Sequence, residues 1–107
     1  MSDKSENCIK VFYENGNYKY TFGEQGSGDG MFMYPHFLSV TNSGHLLVCD
    51  VDNHRIQVFE LNGNFIAKFG TQGSNVGEFK KPWAVGVLSN SQIVVSENAN
   101  HRMQILE

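Results

Sequence analysis

The segment Asp50-Val51-Asp52-Asn53 places two carboxylates and an amide within four residues, a grouping that could gather oxygen ligands for calcium. An EF-hand loop also needs a central glycine for its turn and a distal glutamate that binds through both oxygens. Neither follows at the required spacing, so no metal site is predicted. The glycine-rich stretch from Gly23 to Gly30 invites a phosphate-binding reading. It lacks both the GK[ST] ending and the G-x-G-x-x-G spacing that aim backbone N–H groups at a phosphate. Cys8 and Cys49 form no CxxC pair, and no Cys/His cluster has zinc-ligand spacing. Cys49 lies in the apolar run Leu46-Leu47-Val48-Cys49 and reads as core; an acylating cysteine needs a base that no linear pattern supplies here. His45 falls at a turn and is expected to be exposed. No catalytic residue and no cofactor site are therefore predicted.

Aromatic rings near cations are the other chemistry on offer. Tyr34, His36, Lys80, Lys81 and Trp83 combine the two, with Arg55 and Arg102 in related segments. Such side chains can stack on bases or grip a peptide. They can recognise something only if a scaffold brings them together.

Of the 107 residues, 40% are hydrophobic and 18% charged, a globular balance. Eleven glycines and two prolines predict many tight turns. The net charge of −3 offers no global field for nucleic acid, though a local basic patch is compatible with it. The polar start MSDKSENC has no apolar stretch of the kind a secretory signal needs, and no run is long enough to span a bilayer. Two cysteines in no scaffold pattern read as free thiols, and together these features predict a cytoplasmic protein with no membrane partner.

Sliding the chain against itself by 47 residues, the distance from Ile9 to Ile56, aligns two long stretches without a gap. IKVFYENGNYKYTFGEQGSGDGMFMYP from Ile9 lies over IQVFELNGNFIAKFGTQGSNVGEFKKP from Ile56. VTNSGHLLVCDVDNHRIQVFE from Val40 lies over VLSNSQIVVSENANHRMQILE from Val87. The shared residues include the conformationally demanding ones: Gly16 and Gly63, Gly23 and Gly70, Gly26 and Gly73, Gly30 and Gly77, Pro35 and Pro82. Each repeat reads as four short strands; in the complete one these are His36–Val40, His45–Asp50, Arg55–Glu60 and Phe65–Phe69. Asn42-Ser43-Gly44, Asp52-Asn53 and Asn62-Gly63-Asn64 are the turns, the last suited to positive φ. The second strand is apolar on both faces, as is Ile93-Val94-Val95, and so must be covered on both sides. The third alternates, Ile56 and Val58 against Arg55 and Gln57, which fits a place nearer the outside. Four-stranded antiparallel sheets that repeat and stack read as propeller blades.

Asp50-x-Asp52-Asn53-His54-Arg55-Ile56-Gln57-Val58-Phe59, followed by Asn62-Gly63 and Phe69-Gly70, resembles the NHL repeat. Asn100-His101-Arg102-Met103-Gln104-Ile105 repeats the pattern, and Gly77-Glu78-Phe79 with Pro82-Trp83-Ala84-Val85-Gly86-Val87 matches the lead into the innermost strand. The resemblance covers nearly everything from Ile9 onward and is nearest to the propellers that end tripartite-motif (TRIM-NHL) proteins. It implies an all-β fold: a partial propeller of about two blades, either a fragment of a six-bladed ring or a unit that forms a ring by self-association. The expected divisions are a polar lead (1–8), the end of one blade with its inter-blade loop (9–34), a complete blade (35–81) and three strands of a further blade (82–107).

The resemblance also implies a recognition module for a protein or a single-stranded or hairpin RNA, in a family linked to ubiquitin ligases and post-transcriptional regulation. Ligase activity would need a RING domain, and these residues contain none. Strand alternation puts Asp50 to Arg55 on the same rim as the long inter-blade segments, and longer loops on a rigid scaffold are where binding concentrates. Tyr34, His36, Arg55, Lys80, Lys81, Trp83 and Arg102 are the expected contact residues, against the alternative that Tyr34 and Trp83 pack between blades. Asn53, His54, Asn100 and His101 recur at the repeat period and are assigned to structure. Two other functions compete. A metal-dependent lyase- or lactonase-like propeller would need ligands on the innermost strands, where only His36 and Ser39 have ligand capacity and Ser39 aligns with Gly86. A purely self-assembling structural module is the third reading.

Overall fold

The structure is a computed structural model that describes residues 2–3, 7–12, 15–41, 43–73, 78–87, 93–97 and 102–106. Ser2–Asp3 (β1), Cys8–Phe12 (β2) and Tyr18–Phe22 (β3) form the first antiparallel sheet. Glu24–Gln25 (β4) and Met31–Phe32 (β5) pair in parallel within the loop that follows. Pro35–Val40 (β6), His45–Asp50 (β7), Arg55–Glu60 (β8) and Phe65–Phe69 (β9) form the central four-stranded sheet in that order. Pro82–Val87 (β10), Ile93–Glu97 (β11) and Arg102–Leu106 (β12) form the third.

The central sheet follows the sequence expectation closely, because period-two alternation and turn chemistry act over the same few residues. Gly63 takes φ 93° in the hairpin between β8 and β9, where its N–H donates to the Glu60 carbonyl. From Leu46 to Asp50, β7 is buried, and its two faces enter different cores. Leu46 and Val48 pack with Ile9, Phe32 and Phe59 between the first and central sheets. Leu47 and Cys49 pack with Val51, Ile56, Phe79, Val85 and Val95 between the central and third sheets. A strand covered on both faces by its neighbours is the unit of a blade stack, and this chain is a partial β-propeller.

The repeat is visible in detail. Ser2 pairs with Ile9 and Asp3 with Cys8, the register in which Cys49 pairs with Ile56 and Asp50 with Arg55. The first blade thus reaches into 1–8, which the sequence reading sets apart as a polar lead. Ladder bonds come from the backbone, so a polar strand leaves little trace in composition. Gly26 and Gly73 N–H groups donate to the carbonyls of Phe32 and Phe79 at the same 3.0 Å. Gly23 and Gly70 hold φ 94° and 98° with a buried phenylalanine ring against each; a Cβ there would lie 2.3 Å from Phe32 and 2.2 Å from Phe79.

The alternating third strand takes the third place in the sheet, yet its polar residues Arg55 and Gln57 are buried, 6% and 0% exposed. The preceding inter-blade loop folds over that face of β8 and is hydrogen-bonded to both side chains.

Candidate recognition rim

Asp50 ends β7, where its carboxylate is fully buried. Its Oδ2 accepts from Arg55 Nε at 2.8 Å, Asn53 Nδ2 at 2.9 Å and Gln57 Nε2 at 3.1 Å, while Oδ1 accepts from the Met33 N–H at 2.7 Å. Arg55 Nη1 donates to the Ser27 carbonyl, and Nη2 to those of Gly28 and Met31. Asn53 Nδ2 also reaches the Gly26 carbonyl, and Gln57 Nε2 the Met31 carbonyl at 2.6 Å. Among the described residues no buried side-chain nitrogen or oxygen is left without a partner. The low dielectric makes such a network stabilising only when it is satisfied throughout.

The next blade repeats it 47 residues on. Glu97 Oε1 accepts from the Lys80 N–H at 3.1 Å, and Gln104 Nε2 donates to Glu97 Oε2 at 2.7 Å and to the Glu78 carbonyl at 2.8 Å. This fixes the role of the calcium-like segment: Asp50 binds donors of its own chain. Among the described residues no group of three His, Cys, Asp or Glu is placed to hold a metal.

Above this network the turn Val51–Asn53 and the inter-blade loops meet on one rim. The N–H groups of Val51 and Asp52 donate to the carbonyls of Tyr34 and Met33 at 3.3 and 3.0 Å. Tyr34 and Lys81 both adopt left-handed backbone, φ 61° and 55°. Each is fixed by a side chain from the preceding blade: the Tyr34 N–H donates to Asn7 Oδ1 at 2.8 Å and the Lys81 N–H to His54 Nδ1 at 3.0 Å. Asn7 and His54 are themselves left-handed, φ 56° and 55°. The sequence reading missed Asn7, whose alignment with His54 was the available signal.

The structure brings Tyr34, His36, Lys80 and Lys81 to this rim. The Tyr34 and His36 rings lie 6.0 Å apart, centroid to centroid. Tyr34 is half-buried against the core between the central and third sheets, so it takes part in blade packing as well. Lys80 and Lys81 are exposed, and Lys81 Nζ meets Asp52 Oδ1 at 3.2 Å, also exposed. Arg55 departs from its expected contact role: its guanidinium is held beneath the rim by the inter-blade loop. Trp83 and Arg102 lie in β10 and β12, with side chains outside the described set; Asn100 and His101 lie outside the described residues.

Burial holds the His54 imidazole below the ordinary histidine pKa, Lys81 lowers it further, and Asp52 acts in the opposite sense. Burial and the adjacent Asp50 push the Cys49 thiol up to about 12, so it is not a ready nucleophile. No helix among the described residues is long and apolar enough to cross a membrane.

Two comparisons bear on this architecture. The NHL repeat family matches residues 32–59, from the end of the inter-blade loop through the third strand of the central blade. Over 51 residues the chain is 37% identical to Protein brain tumor of Drosophila melanogaster, covering 47% of this chain and 5% of that protein. With the repeat matched in sequence and its blades stacked in space, residues 32–59 are an NHL repeat within a partial β-propeller.

Proposed function

We propose that this propeller segment is a recognition module whose contact surface is the rim carrying Tyr34, His36, Lys80, Lys81 and Trp83. One observation carries the reading. Tyr34 and Lys81 occupy equivalent positions with the same left-handed backbone and the same cross-blade hydrogen bond, yet their side chains differ. So do those at Met33 and Lys80, and at His36 and Trp83, whereas Gly23 and Gly70, Phe32 and Phe79, and Gln57 and Gln104 are kept. Among these pairs the residues that hold the inter-blade loop are kept and those assigned to the rim differ, as do outer-strand positions such as Tyr20 and Ala67. A non-glycine residue held at positive φ is conformationally costly, and such positions cluster at functional sites.

The partner class is a protein, in keeping with the net charge of −3. RNA is the second reading, favoured by lysines beside aromatic rings. In a TRIM-NHL-type parent the segment would select the target, and any ubiquitin transfer would reside in a RING domain elsewhere. A second copy of the chain is a further candidate partner, through the apolar groove lined by Val11, Leu38, Val40 and Leu61. The test is affinity capture from a cytoplasmic extract, followed by titration of the captured partner. Tyr34→Ala and Lys81→Ala should each weaken binding at least about tenfold with the thermal midpoint of Lys81→Ala unchanged. A steep fall of affinity with salt identifies RNA. Binding that survives both substitutions in combination would remove the rim from consideration.

A further inference from the structure

We infer that His54 is a positioning residue for the rim: its Nδ1 holds Lys81 in left-handed backbone across the blade junction, and it does so only while the imidazole is neutral. The observation is the hydrogen bond from the Lys81 N–H to Nδ1 at 3.0 Å. An acceptor nitrogen carries no proton, so the proton of the neutral ring sits on Nε2. Protonation at Nδ1 turns the acceptor into a donor facing another donor, and the bond is lost. Lys81 is then released from the backbone geometry that sets the direction of its side chain. Its exposed contact with Asp52 is too weak to replace that constraint.

The molecule contains its own control. At the preceding junction Asn7 Oδ1 accepts from the Tyr34 N–H in the equivalent place, with the same left-handed backbone at both residues. An amide oxygen does not titrate in this range. One junction is therefore sensitive to pH and the other is not, although the backbone is the same. Four charged groups act on His54: Lys81 and Lys80 oppose its protonation, and Asp52 and Asp50 favour it. Burial and the two lysines prevail, so the bond is intact at neutral pH and opens on acidification.

The functional meaning rests on the rim reading, but the measurement needs no partner. Amide hydrogen exchange and 15N–1H spectra of the whole chain are followed from about pH 8 to about pH 5. After correction for intrinsic rates, Lys81 should exchange about tenfold faster at the acid end, with its resonance moving along the His54 titration. Tyr34 should show neither effect. His54→Asn should keep Lys81 protected throughout and abolish the pH dependence; His54→Leu should leave Lys81 unprotected at every pH. A Lys81 amide indifferent to pH in the unaltered chain overturns the inference, as does His54→Asn behaving like His54→Leu. Failure here leaves the rim reading standing, since that is judged by partner binding alone.

Discussion

Around Asp50 four donors converge on one carboxylate: the Met33 N–H, Asn53 Nδ2, Arg55 Nε and Gln57 Nε2. Its removal is costly because Arg55, 6% exposed, would remain buried without a counter-charge. Asp50→Ala should therefore destabilise the chain by about 3–5 kcal/mol, read as a lower urea midpoint. A change below about 1 kcal/mol would mean that Arg55 escapes to water and the network is dispensable. At the same scale, the lowered pKa of His54 fixes the sign of a pH effect. The unfolded chain binds more protons there, so stability falls as pH drops below the ordinary histidine value and levels off below the folded one. His54 is only partly buried, so the effect is small. The residue types of both networks stand in the sequence at a 47-residue interval, but their burial does not. Arg55 and Gln57 look like the wet face of an alternating strand; only the path of the inter-blade loop reveals that they are its anchors.

Among elements, the four strands of the central sheet lie within a residue of where alternation and turn residues put them. The short strands were not legible. β1 is polar, and the parallel pair β4–β5 is only two residues long, held by the turn from Gly26 to Gly30. The glycines beside these loops did show in the repeat, and the structure distinguishes their duties. Gly70→Ala places a methyl group 2.2 Å from the Phe79 ring at φ 98°, whereas Gly16→Ala at φ 91° meets open space. Gly16→Ala should cost about 1–2 kcal/mol, the backbone strain alone. Gly70→Ala should cost about 2–5 kcal/mol, since overpacking adds to that strain. Thermal denaturation of the two variants side by side checks the difference, and equal losses would show that Phe79 yields at little cost.

At the scale of the whole molecule, the two blade junctions are unequal. Between the central and third sheets, Leu47 of β7 is buried with Val58, Val85 and Ile93 around its core. At the equivalent place between the first and central sheets lies an open groove of about 320 Å³, lined by Ile9, Val11, Leu38, Ser39, Val40, Leu46 and Leu61. Val40 and Leu61 beside it are 58% and 52% exposed. In this stack a blade's second strand fills such a groove, as Leu47 does in register with Val58. Apolar surface left open in this way favours association, because burying it removes it from water at roughly 25 cal/mol per Å². Repetition in the sequence announced that each blade needs neighbours, whereas the location of the uncovered face required coordinates. The chain should accordingly scatter light as a species larger than one copy. Val11→Glu combined with Val40→Glu should return it to one copy that is still folded, since both positions are at least partly exposed, with a thermal midpoint that no longer rises with concentration. A single copy at every concentration, or association undisturbed by the two charges, would mean that the groove between the first and central sheets draws no second copy.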